Sequence, residues 1–185
     1  MKIDLIIPAA GFASRFPVNK LLYSLHGKCI LEHVLDVVEQ LDFHAIYVVT
    51  QYPEIKQLLS KRKAVCVWNP QPQKGLSSSL LVGLQECKDA DAVMFLNGDM
   101  PYIKKESLVR MMVLASDEHI VCGRYQGMIQ NPMLFPICYR EELERLSGDR
   151  GAKGIALYHL ESCRFVKLSE KEVCDVDTLA DIYEN

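Results

Sequence analysis

The chain opens with the sequence IDLIIPAAGFASRFPVNK at residues 3–20, and this stretch indicates how the fold begins. The apolar run at residues 3–7 is typical of a buried strand, and the small residues after it end the strand in a turn. Arg15 and Lys20 then follow Gly11 at spacings of four and nine residues. Small side chains let backbone N–H groups approach phosphate oxygens, and fixed positive charge offsets that of the phosphates. The stretch favours a nucleoside triphosphate loop, although a turn with two solvated cations would explain the same residues.

The composition is that of a folded globular protein. The chain has 185 residues, of which 49% are hydrophobic and 24% charged, so we expect one domain with a sizeable core rather than disorder. A net charge of −3 gives no basic surface for nucleic acid, and no apolar run reaches transmembrane length. Seven cysteines without paired spacing indicate reduced thiols, which predicts a cytoplasmic protein with neither nucleic acid nor membrane as a partner.

Strand-like and helix-like segments alternate along most of the chain. The predicted strands are 3–7, 45–50, 64–68, 92–96, 120–124, 133–137, 164–168 and 173–176. The predicted helices are 30–41, 54–60, 76–87, 104–114, 140–146, 151–160 and 177–183. This order predicts an α/β fold, a three-layer α/β/α sandwich around a mainly parallel, Rossmann-like sheet. We expect one domain over 1–185, with a nucleotide-binding half at about 1–120 and an acceptor-binding half at about 121–185.

In such sheets ligands bind beyond the carboxyl ends of the strands, so the loops after Ile7, Trp68 and Leu96 should meet at one edge. The loop at 69–75, with two prolines and a glycine, is predicted to be irregular. A further motif, NGDMP at 97–101, places a carboxylate just after an apolar strand. That carboxylate could bind Mg²⁺ beside triphosphate oxygens, but Gly-Asp with a nearby proline is also an ordinary turn.

Three other segments have both a functional and a structural interpretation. The hydroxyls of KGLSSSL at 74–80 could cap a helix or contact a base or ribose. The loop LSGDRGAKG at 146–154 could grip a phosphorylated acceptor, or Asp149 could simply cap the next helix. Asp175 and Asp177 share one side of an extended segment and could hold a cation, or Asp177 could cap a helix.

In their order along the chain these motifs resemble the MobA-like nucleotidyltransferases, in particular the molybdopterin cytidylyltransferase branch, over nearly the whole sequence. The resemblance implies a fold of the nucleotide-diphospho-sugar transferase type. It implies that Arg15, Lys20 and Asp99 are catalytic, and that Asp99 and Asp177 bind Mg²⁺. The nucleotide-binding residues that it implies are Pro8, Ala9, Ala10, Gly11, Asn69, Gly75, Ser79, Asn97 and Gly98. The acceptor-binding residues that it implies are Asn131, Pro132, Gly148, Asp149 and Gly151.

The same resemblance implies a reaction. Cytidylyl members tend to read Pro-Ala-Ala-Gly where guanylyl relatives read Leu-Ala-Gly-Gly, and residues 8–11 are similar to the first. The implied function is transfer of CMP from CTP to molybdopterin, with release of pyrophosphate and possible delivery of the product to a molybdenum enzyme. The alternatives are a GTP-using guanylyltransferase, a nucleotidyltransferase for a sugar or alditol phosphate, and a nucleotide-binding protein without turnover. Pro17 and Gln130 stand where the family usually has glycine, and they favour the last alternative.

Overall fold

In the computed structural model of the chain, residues 1–12 and 19–174 are described. The strands in these ranges are β1 (Ile3–Ala9), β2 (Ser24–Leu25), β3 (Lys28–Cys29), β4 (Ala45–Thr50), β5 (Val65–Trp68), β6 (Ala92–Phe95), β7 (Ile120–Tyr125), β8 (Met128–Pro136) and β9 (Cys163–Lys167). The α-helices are α1 (Ile30–Val38), α2 (Pro53–Leu59), α3 (Leu76–Glu86), α4 (Lys105–Leu114), α5 (Arg140–Glu144) and α6 (Lys153–Tyr158).

Seven of the strands form one sheet in the order β5-β4-β1-β6-β8-β7-β9. All neighbouring strands are parallel except β8, which runs antiparallel to both β6 and β7. The carboxyl ends of β1, β4, β5 and β6 therefore lie along the same edge. The prediction of a mainly parallel α/β sheet is confirmed.

Helices cover both faces of the sheet, which accounts for the continuous apolar runs of the central strands. In β1, Leu5 and Ile7 pack in one core with α1, α2 and α4, while Ile6 packs in the other core with α3 and α6. All three side chains are fully buried. Alternate side chains of one strand thus pack against the two helical layers on opposite faces of the sheet.

Several predicted elements differ from the structure in the first half of the chain. The β2–β3 hairpin was not predicted, because a strand of two residues carries no periodic pattern. The loop at 69–75 is not wholly irregular, since Pro72–Lys74 forms a 3-10 turn that the Gly75 N–H closes on the Pro72 carbonyl at 3.1 Å. Proline favours such a turn because its φ is already fixed.

Other differences lie in the second half. β8 begins at Met128, five residues before the predicted strand, because the hairpin turn at Gly127 lets pairing start at once. The helix predicted over 151–160 begins only at Lys153, with Ala152 and not Asp149 in the capping position. Where a strand was predicted from residue 173, Lys171–Val173 forms a 3-10 turn instead. The rest of that predicted strand and the last predicted helix lie outside the described residues.

Across 1–12 and 19–174, helices with the length and apolarity needed to cross a bilayer are absent.

Candidate functional site

A cleft of about 380 Å³ opens at the carboxyl edge of the parallel strands. The ends of β1 and β6, the segment before β2 and the start of α3 contribute to its walls. It is lined by Pro8, Ala9, Ala10, Gly11, Phe12, Asn19, Lys20, Leu21, Pro72, Gly75, Leu76, Ser79, Asn97, Gly98, Asp99 and Asp149. The three loops that were expected to meet at one edge therefore do so.

A cation and a carboxylate from distant parts of the sequence meet in this cleft. The Lys20 Nζ lies 2.6 Å from the Asp99 Oδ2, and both side chains are mostly buried. Lys20 is the first residue of a 3-10 turn whose cap is Asn19, since the Asn19 Oδ1 accepts from the Leu21 N–H at 3.0 Å. Arg15, the other predicted cation, lies outside the described residues.

The second carboxylate oxygen of Asp99 bears on metal binding. Asp99 Oδ1 is buried and has no hydrogen-bond partner among the described residues, which is costly for a carboxylate. Mg²⁺ is usually held by one or two carboxylates together with substrate phosphates. No cluster of three metal-ligating side chains forms within 1–12 and 19–174. Asp99 thus fits a cation shared with a bound phosphate, while Asp177, the second predicted ligand, lies outside the described residues.

Asn19 is a cleft residue that the sequence analysis did not identify. Its Nδ2 is buried without a hydrogen-bond partner in the part of the chain that the structure describes. An unpaired amide donor beside Lys20 could satisfy an oxygen of a bound phosphate. The only signal in the sequence was its position next to Lys20.

Asn69 occupies a different place from the other predicted nucleotide-binding residues. It is 1% exposed and does not line the cleft. Its Nδ2 donates to the Ser78 Oγ at 2.9 Å and the Ser79 Oγ at 3.0 Å, and its Oδ1 accepts from the Gln71 N–H at 2.9 Å. The side chain therefore fixes the start of α3, where Ser79 lines the cleft.

The loop after α5 packs directly against Gly75. The Gly148 carbonyl accepts from the Ser77 N–H at 3.0 Å. A Cβ on Gly75 would lie 2.5 Å from the Asp149 Oδ1 and 2.6 Å from the Gly148 carbonyl carbon, and Gly75 has a φ of +88°. Only glycine fits there. Asp149 lines the main cleft, whereas Gly148 lines a neighbouring cavity together with Asn69 and Ser77.

A smaller cavity of about 90 Å³ adjoins the cleft and brings predicted acceptor-binding residues together. Asn131 and Gly151 line it with Gln130 and Lys153, and Asn97 is shared with the main cleft. Pro132 is buried in β8 and is not part of this lining. Lys153 is a cation that the sequence analysis missed, although it stands two residues after Gly151 in the loop that had been singled out.

The cysteines do not offer a nucleophile to the cleft. None of the seven lines it, and none of the seven, all of which lie in the described ranges, forms a disulfide. Burial raises the pKa of the Cys29 thiol to about 11, and burial also raises the pKa values of Cys87 and Cys122. A thiol with a raised pKa is protonated at neutral pH and is a poor nucleophile. The chemistry available in the cleft is that of charge and hydrogen bonding.

Comparison with known proteins gives the family and supports the fold. The MobA-like NTP transferase domain matches residues 5–163, which include the loop after β1, the segment around Asp99 and the smaller cavity. The bifunctional protein GlmU of Buchnera aphidicola subsp. Schizaphis graminum is 34% identical over 135 residues, equal to 71% of this chain and 29% of GlmU. The chain therefore spans less than a third of the length of that relative.

Solved structures share the architecture at low sequence identity. A nucleotidyl transferase from Methanothermobacter thermautotroptrophicus has a TM-score of 0.87 and 23% identity, covering 99% of this chain and 95% of its own. Rv0371c from Mycobacterium tuberculosis, solved as a complex with manganese, has a TM-score of 0.81 and 23% identity, covering 100% and 97%. These likenesses show the fold, and the domain match shows the family. The chain belongs to the MobA-like NTP transferase family.

Proposed function

We propose that this protein is a nucleotidyltransferase that moves CMP from CTP to a phosphorylated small molecule and releases pyrophosphate. The observation that carries the proposal is the Lys20–Asp99 pair, set in a cleft walled by residues 8–12. Among the described residues, the Asp99 Oδ1 of this pair has no hydrogen-bond partner. A buried carboxylate oxygen and a neighbouring ammonium group suit a cation and a polyphosphate that bind together.

The reaction requires positioning and charge stabilisation rather than a covalent intermediate. An oxygen of the acceptor phosphate forms a bond to the α-phosphorus while the bond from that phosphorus to the bridging oxygen breaks, so that pyrophosphate leaves in line. Lys20 would stabilise the charge that develops on the phosphate oxygens, with Arg15 as a second cation. Asp99 and Asp177 would hold Mg²⁺, which when bound supplies further positive charge beside the triphosphate. Asn19 would donate a hydrogen bond to a phosphate oxygen.

The choice of nucleotide and acceptor is part of the proposal. The sequence at residues 8–11 favours CTP over GTP, since it resembles the cytidylyl members of the family. In the smaller cavity, Lys153 would pair with the acceptor phosphate and Asn131 would orient it. The family resemblance favours molybdopterin as the acceptor, with the reaction in the cytoplasm and a molybdenum enzyme as the recipient.

A second candidate function is nucleotidyl transfer to a sugar or alditol phosphate. The observation that favours it is the size of the smaller cavity, because about 90 Å³ suits a compact acceptor better than the bulkier molybdopterin. A side chain at Gln130, where the family usually has glycine, narrows the same cavity.

Pyrophosphate release distinguishes these functions. The full chain is assayed with Mg²⁺ and each of CTP, GTP, ATP and UTP, without acceptor and then with molybdopterin, sugar phosphates or alditol phosphates. Release from CTP only with molybdopterin is the expected result. Release only with a sugar or alditol phosphate supports the second function, and release from GTP overturns the nucleotide choice. Binding of nucleotide without release from any mixture would contradict catalysis altogether.

A further inference from the structure

We infer that Thr50, Gln51 and Tyr52 are positioning residues for the loop at 9–12 and orient its amide groups toward the nucleotide. The inference rests on the proposed function, because it concerns the same cleft. None of the three residues lines that cleft. They would act on the ligand only through the backbone that they hold.

The three residues bond to three consecutive carbonyl groups. The Thr50 Oγ1 donates to the Ala9 carbonyl at 3.1 Å, and the Gln51 Nε2 donates to the Ala10 carbonyl at 2.7 Å. The Tyr52 Oη donates to the Gly11 carbonyl at 2.9 Å. All three donors follow directly along the chain at the end of β4, which neighbours β1 in the sheet. One short segment, the last residue of β4 and the two residues after it, thus holds the backbone at residues 9–11.

This pattern differs from that of a regular strand. Successive carbonyl groups of a strand point alternately to its two neighbours, so three in a row directed to one neighbour mark a change of backbone direction. In a trans peptide the N–H of the next residue points opposite to the carbonyl. The N–H groups of Ala10, Gly11 and Phe12 are therefore directed away from β4.

The side opposite β4 is the side on which the cleft lies. β1 is flanked by β4 on one side and by β6 on the other, and Asp99 follows β6. Ala10, Gly11 and Phe12 line the cleft, and their N–H groups make no hydrogen bond to any residue in 1–12 or 19–174. Successive free amides in a concave loop bind anions and other acceptor oxygens. The hydrogen bonds from Thr50, Gln51 and Tyr52 thus direct three amide groups toward the nucleotide.

The residues that supply these hydrogen bonds are themselves fixed by the fold. Thr50 is fully buried, and its hydroxyl also accepts the Tyr52 N–H at 3.1 Å. Tyr52 is the residue before α2, whose first residue is Pro53. A buried strand end joined to a helix start gives the side chains a fixed base, which is what precise orientation of the loop requires.

The test removes two of the three donors, those of Gln51 and Tyr52, with little change in the shape of the side chains. We compare Gln51→Met, Tyr52→Phe and the double variant with Tyr47→Phe as the control. Tyr47 lies on the same strand, and its hydroxyl donates to the Glu86 carbonyl at 3.4 Å, away from the cleft lining. Calorimetry gives the Kd of each variant for CTP with Mg²⁺, and initial rates give KM and kcat. Amide ¹⁵N shifts of residues 10–12 in the free protein report the loop directly.

Loss of two hydrogen bonds should raise the Kd and KM for CTP about tenfold in the double variant, and each single change should raise them about threefold. We expect kcat to stay within about twofold, the amide shifts to move, and thermal stability to match that of Tyr47→Phe. An unchanged Kd in the double variant, or the same weakening in Tyr47→Phe, overturns the inference. If the unaltered protein binds no nucleoside triphosphate, the proposed function itself fails, and this result needs no variant.

Discussion

At the scale of single residues, the Lys20–Asp99 pair carries the strongest prediction. The substitution Asp99→Asn keeps the shape of the side chain but removes the charge that would hold Mg²⁺. We expect kcat for pyrophosphate release to fall by about 10²–10³-fold, the usual effect of losing one preorganised charge contact. The measurement is an initial rate over a Mg²⁺ titration, because a lost ligand also shifts the metal dependence.

The control for that variant is Asp36→Asn. Asp36 pairs with Lys28 and Arg62, each at 2.6 Å, and none of these three residues lines the cleft. This change should leave kcat within about twofold and lower stability by about 1 kcal/mol or less, because the pairs are partly exposed. A rate for Asp99→Asn within tenfold of the unaltered protein would argue against the metal assignment.

Gly75 gives the second prediction at this scale, and Gly127 serves as the reference position. Gly75 and Gly127 have φ values of +88° and +83°, but a Cβ at Gly127 meets nothing within 4 Å. Gly127→Ala should therefore lose only about 1 kcal/mol, the conformational part of the effect. Gly75→Ala adds a clash with backbone atoms of Gly148 and should lose about 3 kcal/mol. Urea unfolding measures both, and equal losses would show that the contact with Gly148 can relax.

At the scale of elements, the sequence predicted those parts whose signal is local. Strands β1, β4, β5 and β6 were predicted within two residues at each end, because each is a continuous run of mostly apolar residues. In β1 and β6 the run reflects burial on both faces, whereas β5 is a partly exposed edge strand. The β2–β3 hairpin and the late start of α6 were missed. The hairpin was missed because strands of two residues carry no periodic pattern. The start of α6 was missed because the loop before it is held by a distant segment, as the bond from the Ser77 N–H to the Gly148 carbonyl illustrates.

The link between β5 and α3 yields the prediction for this scale. Asn69→Ala removes three hydrogen bonds and leaves the hydroxyls of Ser78 and Ser79 without the amide donor. We expect a loss of about 2–3 kcal/mol in the free energy of unfolding and a raised KM for CTP, because Ser79 lines the cleft.

Gln40→Ala is the matched control for Asn69→Ala. The Gln40 amide is exposed and donates to the Asp36 carbonyl at 2.6 Å, so its removal should change stability by about 0.5 kcal/mol or less. Urea unfolding and initial rates are measured on both variants. If Asn69→Ala lowered stability but left KM unchanged, the amide would hold the helix start without shaping the cleft.

At the scale of the whole molecule, the sequence predicted where the nucleotide loops meet but not how the acceptor side is built. Parallel strands place the loops after β1, β5 and β6 at one edge by topology alone. The smaller cavity instead combines the antiparallel strand β8 with the loop before α6, and no periodic pattern encodes that pairing. This is why Asn131 was identified only through the family resemblance. The loop that contains Gly151 was singled out from its residues, but with a structural alternative, and Lys153 was not identified as a site residue. The division into two functional halves remains a prediction.

At the scale of the whole molecule, the buried carboxylate of Glu172 gives a prediction about how the stability of the fold depends on acid pH. This carboxylate is 2% exposed and joins the segment after β9 to the start of α4. It accepts from the Ser169 N–H at 2.9 Å, the Ser169 hydroxyl at 2.7 Å and the Lys104 N–H at 3.4 Å. Burial alone would raise the pKa of Glu172, but hydrogen bonds from Ser107, Ser169 and Lys104 outweigh it, and the pKa lies below its ordinary value.

Because the pKa of Glu172 is lower in the folded state, its contribution to stability is complete above the unfolded value of about 4.3 and is lost as the pH falls through the folded value. Glu172→Gln should therefore be less stable than the unaltered protein at pH 7, and the difference should shrink below about pH 4.3. Urea unfolding from pH 7 to pH 3 measures it, with Glu144→Gln as the exposed control. A difference that stayed constant with pH would mean that Glu172 stabilises the fold by packing, since a charge-dependent contribution must disappear once the carboxylate is protonated.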